Sequence, residues 1–117
     1  MSIPRKASDR GFPIHPGEFL REEFMRPLGI TITSLASALK VPVRQISGVV
    51  IKRRRMSAEL AMRLERYFGT SAGFWMNSQM NYDLKTTEDD HGTSIRREVR
   101  PAPRDRRTGA MKHQATA

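Results

Sequence analysis

The sequence contains no cysteine. This absence excludes a disulfide framework, a thiolate metal site and a cysteine nucleophile. No segment approaches the roughly 18 consecutive apolar residues of a transmembrane helix, and the first ten residues lack the apolar core of a signal peptide. We therefore expect a cytoplasmic protein that makes no contact with a membrane.

Residues that carry catalysis are few and do not form a usable arrangement. The three histidines, His15, His91 and His113, are scattered and lack the paired ligands that a zinc site needs. The chain also has no glycine-rich phosphate loop and no nucleophile motif. The sequence thus predicts a protein that is not an enzyme and that binds no metal or cofactor.

Acidic and apolar residues are both scarce. Asp and Glu total 12 against 21 Lys and Arg, which gives a formal charge of +9 and a pI of about 11.0. Only 38% of the 117 residues are apolar, so we expect one small core and flexible ends. Such a basic chain is typical of nucleic-acid binding. An anionic membrane partner or a solvated surface without a function are the alternatives.

The positive charge is concentrated in one segment. Residues 40–55 contain six basic residues and no acidic one. The six are Lys40, Arg44, Lys52, Arg53, Arg54 and Arg55. Near the start of the chain, Glu18, Glu22 and Glu23 form an acidic face instead. The chain therefore has one basic feature and one acidic feature.

Apolar residues spaced by about 3.6 positions, together with capping and breaking residues, predict five short helices. The first follows Pro16 and stops at Pro27, the second and third cover Ile32–Leu39 and Val43–Val50, and the fourth and fifth follow Ser57 and Ser71. The inward stripe of the fourth helix includes Tyr67 and Phe68. No run alternates apolar and polar residues for long enough to form a strand. We expect an all-α fold.

The composition changes near residue 84. We predict a flexible arm over residues 1–12, a folded domain over 13–84 and a C-terminal extension over 85–117. Two apolar residues one turn apart predict a short helix over 88–99 within that extension. From about Arg100 onward we expect disorder, because proline and charged residues dominate.

The second and third helices have the spacing of a helix-turn-helix. Ala36 is small enough for the two helices to cross closely. The turn between them needs a positive φ at Lys40, which costs a residue other than glycine about 1–2 kcal/mol. Gly48 inside the third helix costs about 1 kcal/mol relative to alanine, and it either permits a close approach to DNA or reflects sequence drift without a function. The alternative is an ordinary helical hairpin in a small bundle.

The exposed start of the third helix is expected to enter the major groove of DNA. Its exposed residues are Val43, Arg44, Gln45 and Ser47, which we predict to read bases. Arginine commonly pairs with guanine and glutamine with adenine, and valine can contact the thymine methyl group.

Two further segments are suited to phosphate groups. A basic run follows the third helix directly, where a loop would cross the DNA backbone. Hydroxyl residues open the second helix, whose N-terminus can also hold a phosphate. The predicted phosphate-binding residues are Thr31, Thr33, Ser34, Lys52, Arg53, Arg54 and Arg55. A solvated loop is the alternative for the basic run, but its position beside a helix-turn-helix favours phosphate binding.

Several short motifs occur in order between residues 13 and 84. They are His15-Pro16-Gly17-Glu18, Pro27-Leu28-Gly29, Leu35-Ala36, Ser57-Ala58 with Ala61, Arg63 and Leu64, Phe68-Gly69-Thr70-Ser71, Phe74-Trp75, Gln79 and Tyr82-Asp83-Leu84. Together they resemble the HigA-type antitoxins, which are addiction-module antidotes in the XRE group of lambda-repressor-like helix-turn-helix proteins. The resemblance implies a dimeric repressor that binds an inverted repeat of double-stranded DNA in its own promoter and neutralises a small basic toxin that cleaves mRNA.

Two surfaces are candidates for the protein partners that the resemblance implies. Glu18 and Glu22 lie one helical turn apart and would attract a basic toxin, although a solvated face is the alternative. Phe74, Trp75 and Tyr82 form either core or a homodimer contact, because a domain of about 70 residues buries its helices poorly alone. Two other functions stay open, namely a stand-alone XRE-type repressor without a toxin and a protein-interaction module whose basic loop never meets DNA.

Overall fold

The computed structural model of the chain describes residues 14–111. The chain divides into two units that separate after Thr86. The described residues form helices and no strand, with one isolated bridge between Arg104 and Met111. The predicted all-α fold with five helices is confirmed, whereas the predicted arm over residues 1–12 lies outside the described range.

The helices follow the predicted order. The first, α1, covers residues 16–28 in three consecutive segments, which are α-helical (Pro16–Phe19), π-helical (Leu20–Met25) and α-helical (Arg26–Leu28). The others are α2 (Ile32–Leu39), α3 (Val43–Val50), α4 (Ala58–Phe68) and α5 (Ala72–Glu98). Both helices of the helix-turn-helix begin and end at the predicted residues.

The π-helical middle of α1 is not predicted by the apolar pattern. Pro27 has no backbone N–H, so a regular helix loses one hydrogen bond at this position. Just before it, the N–H of Arg26 bonds the carbonyl of Arg21, five residues back, which is the π-helical pattern. The hydrogen-bond register therefore changes next to the missing donor. Gly29 then adopts a φ of 66° and ends the helix.

Side-chain caps start α2, α4 and α5 at the predicted residues. The Ser34 N–H donates to Thr31 Oγ1 at 3.0 Å, and the Thr31 N–H donates to Ser34 Oγ at 3.1 Å, which completes a capping box. The hydroxyls of Ser57 and Ser71 each accept from the N–H three residues on. These bonds satisfy backbone donors that a helix N-terminus leaves open.

The core lies between the inward faces of α1 to α4 and the start of α5. Its buried apolar residues are Leu20, Met25, Leu35, Ala36, Leu39, Ile46, Val49, Val50, Met56, Leu60, Ala61, Leu64 and Trp75. The Trp75 indole N–H donates to Thr70 Oγ1 at 2.7 Å. Tyr67 differs from prediction and is 49% exposed, because its neighbour Phe68 takes the inward position and packs on Phe24 at 4.7 Å between ring centroids.

The last helix is longer than the sequence analysis predicts. A single helix, α5, covers Ala72–Glu98, where we expected a break near Leu84 and a separate helix over 88–99. The stretch across the expected break contains no proline or glycine before Gly92, so nothing in the backbone chemistry ends the helix there. Loss of apolar residues signals the end of the core rather than the end of the helix.

Residues 100–111 also differ from the expected disorder. They contain a turn at Arg106–Thr108 and the isolated bridge between Arg104 and Met111. This segment belongs to the second unit of the chain.

Candidate nucleic-acid interface

The turn of the helix-turn-helix has the predicted geometry. Lys40 adopts φ 62° and ψ 44°, the left-handed conformation that the tight turn requires. The N–H of Val41 donates to the Ala36 carbonyl at 3.0 Å. Arg63 on α4 donates from Nη1 to the Leu39 carbonyl at 2.9 Å and is itself held by Glu59. These bonds give partners to carbonyl groups at the C-terminal end of α2, which the helix itself leaves without a donor. They also fix the direction in which α3 leaves the turn.

The face of α3 that points away from the core carries three of the four predicted base-reading residues. Ile46, Val49 and Val50 are buried, while Val43 and Arg44 are exposed. Ser47 lies on the same face as these two, partly buried, and its hydroxyl donates to the Arg44 carbonyl at 3.2 Å. The fourth, Gln45, is partly buried beside this face.

The hydroxyl residues at the start of α2 are all exposed, but they are not equivalent. Thr31 and Ser34 use their hydroxyls in the capping box and also bond each other at 3.0 Å. Thr33 lies between them, and its hydroxyl makes no hydrogen bond within the described residues. Of the three predicted phosphate ligands here, Thr33 is therefore the one whose hydroxyl is open to a new acceptor.

Residues 52–55, which we call the basic loop, fold back onto the end of α3. The N–H groups of Arg53 and Arg54 both donate to the Gly48 carbonyl, at 2.9 and 3.0 Å. The aliphatic part of Arg54 also crosses Gly48, where an added Cβ would lie 2.7 Å from Arg54 Cδ. The structure thus gives Gly48 a role inside the protein, making room for Arg54, where the sequence suggested a close approach to DNA.

Carboxylates hold two of the four side chains of the basic loop. Lys52 Nζ lies 3.2 Å from Glu18 Oε1 on α1, and Arg55 forms an ion pair with Asp83 on α5. Arg53 is exposed and makes no ion pair with any described residue. Glu18, which we predicted to contact a toxin, is therefore engaged with the loop.

Gln79 is a positioning residue that the charge pattern of the sequence does not indicate. Its side chain is 2% exposed, and its Oε1 accepts from the Met56 N–H at 2.7 Å. Its Nε2 donates to Asp83 Oδ1 at 3.0 Å, so one amide ties the end of the basic loop to the carboxylate that pairs with Arg55. A polar residue on the apolar side of α5 was the sequence signal, since buried polar groups require partners.

His15 is a buried residue that lies close to the basic loop. The ring is buried, its Nδ1 accepts from the Gly17 N–H at 2.9 Å, and its edge meets the Tyr82 ring at 5.0 Å. Burial lowers the pKa of His15 and the Lys52 ammonium lowers it further, against smaller opposing effects of Asp83 and the Arg54 backbone. A neutral ring also suits Nδ1, which must act as an acceptor.

Gly17 allows α1 to rest directly on α3. A Cβ on this residue would lie 1.8 Å from the Val49 carbonyl oxygen, so only glycine fits there. This contact brings the acidic side of α1 against the end of α3, where Glu18 reaches Lys52.

The predicted dimer residues fall in different environments. Trp75 is completely buried in the core and leaves no side-chain surface for a partner, which corrects its assignment as a contact residue. Tyr82 is partly buried against His15. Phe74 is 38% exposed, and its ring centroid lies 5.1 Å from that of Phe19.

The acidic face of α1 is internally paired as well. Glu22 contacts Arg21 at 2.9 Å and Arg26 at 3.2 Å. Glu23, the third residue of the predicted acidic face, has a buried Oε1 with no hydrogen-bond partner among residues 14–111.

Within the described part of the chain, no three His, Cys, Asp or Glu residues group to hold a metal ion. No helix there is long and apolar enough to cross a membrane.

Proteins of similar sequence include a virulence-associated protein and an antitoxin. The chain is 47% identical over 91 residues to virulence-associated protein I of Dichelobacter nodosus, covering 77% of this chain and 82% of that protein. It is 36% identical over 75 residues to antitoxin HigA-1 of Vibrio cholerae, covering 64% and 70%. No protein-family model matches the sequence.

Two solved structures of antitoxins resemble the chain closely. The Pseudomonas aeruginosa antitoxin HigA with the higBA promoter is 47% identical with a TM-score of 0.73, covering 76% of this chain and 97% of that one. Antitoxin GraA in complex with its operator is 40% identical with a TM-score of 0.74, covering 78% and 92%. By sequence identity and fold, the chain belongs to the HigA-type antitoxin family of helix-turn-helix proteins.

Proposed function

We propose that the protein binds an operator in its own promoter as a homodimer and represses transcription. The observation that carries this proposal is the face of α3 that carries Val43, Arg44 and Ser47, on a helix that the cations of the basic loop directly follow. A helix held in this way by a helix-turn-helix enters the major groove, and adjacent basic residues contact the backbone. The HigA and GraA structures with their promoter or operator DNA support the same assignment.

A homodimer would place two α3 helices about one turn of DNA apart, roughly 34 Å, and would read an inverted repeat. Phe74 remains the predicted aromatic contact residue with open surface. Tyr82 contributes its exposed part, whereas Trp75 is part of the core. Dimer formation is measured by analytical ultracentrifugation of the purified chain, with Phe74→Ser expected to weaken it.

The proposed partner protein is a small basic toxin that cleaves mRNA. Its docking site would be the acidic face of α1, with Glu18 and Glu22 as predicted contacts. Copurification of the product of a neighbouring gene with this chain tests the antitoxin function.

A failure of that copurification, together with operator binding by the chain alone, would favour a stand-alone repressor. If the chain binds no promoter DNA and only a protein partner, the interaction-module alternative holds.

Arg44→Ala is the direct test of base reading. Loss of a bidentate contact to guanine should weaken operator binding by about 1–3 kcal/mol and relax one base position. Binding is followed by fluorescence anisotropy on DNA from upstream of the gene. Arg66→Ala on α4 is the matched control, since it also removes one exposed arginine and should leave operator affinity nearly unchanged. Equal losses in both variants would contradict groove reading by α3.

A further inference from the structure

The second unit of the chain contains a compact turn that presents arginines. We call residues 104–111 the arginine turn. Its ends meet at the bridge between Arg104 and Met111. Inside it, the Asp105 N–H donates to the Ala110 carbonyl at 2.8 Å, and the Gly109 N–H donates back to the Asp105 carbonyl at 2.9 Å. The segment is therefore closed by its own backbone.

The carboxylate of Asp105 is used to shape this turn. Its Oδ1 accepts from the N–H groups of Arg107 and Thr108 at 2.8 and 2.9 Å. These backbone bonds lower the pKa of Asp105. Gly109 contributes a φ of 73°, which side-chain-bearing residues rarely adopt.

The arginines at the tip have no internal partner. Arg106 and Arg107 are exposed, and their side chains make no ion pair or hydrogen bond with any described residue. Arg104 differs, because its Nη1 donates to the Gly109 carbonyl at 3.0 Å. Arg96 also differs, because it pairs with Glu88 through two bonds of 3.0 and 2.7 Å.

We infer that the arginine turn is a second nucleic-acid contact, in which Arg106 and Arg107 bind backbone phosphates of duplex DNA without reading its sequence. Adjacent guanidinium groups match phosphate oxygens in charge and geometry. The inference rests on the proposed DNA-binding function, to which it adds a contact outside the helix-turn-helix. The ligand is duplex backbone rather than single-stranded RNA, because residues 100–111 contain no aromatic side chain on which an unpaired base would stack.

The test uses the full chain and a duplex that lacks the operator, with binding measured across a series of salt concentrations. The double change Arg106→Gln and Arg107→Gln should lower the slope of log affinity against log salt by about two, since each phosphate contact contributes about 0.9. The matched control, Arg106→Lys with Arg107→Lys, keeps the charge and should keep most of the slope. An unchanged slope in the glutamine variant would overturn the inference.

Gly109→Val tests whether the turn itself matters. It leaves every charge in place but disfavours the positive φ, so it should weaken binding to the same duplex in the same direction as the glutamine variant. If Gly109→Val has no effect on binding, the turn does not position Arg106 and Arg107. The role given to the turn would then be wrong.

Two further readouts separate the possible failures. If Arg44→Ala weakens operator binding while the glutamine variant keeps its slope, the arginine turn fails and the helix-turn-helix function stands. If the glutamine variant loses affinity for single-stranded RNA more than for duplex DNA, the assignment to duplex DNA is wrong.

Discussion

The basic loop and the arginine turn both present adjacent cations, but their surroundings differ. In the loop, Lys52 and Arg55 are paired with Glu18 and Asp83 from two other helices. In the turn, Arg106 and Arg107 have no such partner among the described residues. The loop is therefore positioned by contacts that are distant in sequence, whereas the turn is positioned by bonds within eight residues.

This difference indicates that the basic loop and the arginine turn contribute differently to DNA binding. A phosphate that binds Lys52 or Arg55 must compete with a carboxylate already in place, so each of these cations adds less affinity than an unpaired one. In return the loop has a defined position relative to α3, as register on DNA requires. The unpaired arginines of the turn offer their whole charge and supply affinity rather than register.

The largest expected effect follows from the buried support of the loop. Gly17→Ala puts a Cβ 1.8 Å from the Val49 carbonyl oxygen, and the contacted atom belongs to the backbone, which cannot move aside cheaply. The free energy of unfolding should fall by about 3 kcal/mol, measured by denaturant titration of Trp75 fluorescence.

The control for this change is Gly109→Ala in the arginine turn. No atom lies within 4 Å of an added Cβ there, and the strained φ affects only the turn. The unfolding free energy of the first unit, followed by Trp75 fluorescence, should not change. Equal destabilisation by the two alanines would contradict the contrast between a supported loop and a self-contained turn.

The local part of this architecture could be predicted from the sequence. Periodicity and caps predicted α2 and α3 correctly, and the left-handed Lys40 followed from the spacing of the helix-turn-helix. These features depend on residues within one or two turns of each other, so the chemistry of each side chain suffices to predict them.

The support of the basic loop could not be predicted in this way. Glu18 and Lys52 are 34 residues apart, and Gln79 and Met56 are 23 apart. A charge pattern shows that acidic and basic residues exist but not which of them meet. For the same reason the sequence leaves Glu18 open between a solvated face and a toxin contact, and Trp75 open between the core and a dimer contact, whereas the structure pairs Glu18 with Lys52 and buries Trp75.

A smaller effect is expected from the ion pair between Asp83 and Arg55. Asp83→Asn removes the competing charge but keeps an oxygen that can accept from Gln79. Exposed ion pairs contribute about 0.2–1 kcal/mol, so DNA affinity should rise by no more than about fivefold, with a steeper salt dependence. Asp90→Asn, measured in the same anisotropy assay, makes the same change in net charge at a residue that forms no ion pair with the basic loop. An equal rise in both variants would mean that only net charge matters.

The smallest expected effect is the pH dependence of stability, which differs between the basic loop and the arginine turn. The pKa of His15 is lowered below 6.5 in the folded chain, so the unfolded state takes up the proton first as pH falls. Stability is therefore complete above about pH 6.5 and decreases below it. The Asp105 pKa is lowered below 3.8, so the turn loses its stabilisation only as pH falls below that value. Between pH 7 and 5.5, the support of the loop should weaken, while the arginine turn keeps the stabilisation from Asp105.

His15→Asn isolates this contribution, because asparagine can still accept from the Gly17 N–H as a helix cap but does not titrate. Unfolding free energies at pH 7 and 5.5 should differ less in this variant than in the unmodified chain. His91→Asn, at an exposed position on α5, should leave the difference as it is. If His15→Asn retains the full difference in unfolding free energy between the two pH values, other groups cause the pH dependence. Protonation of the His15 ring is then not its cause.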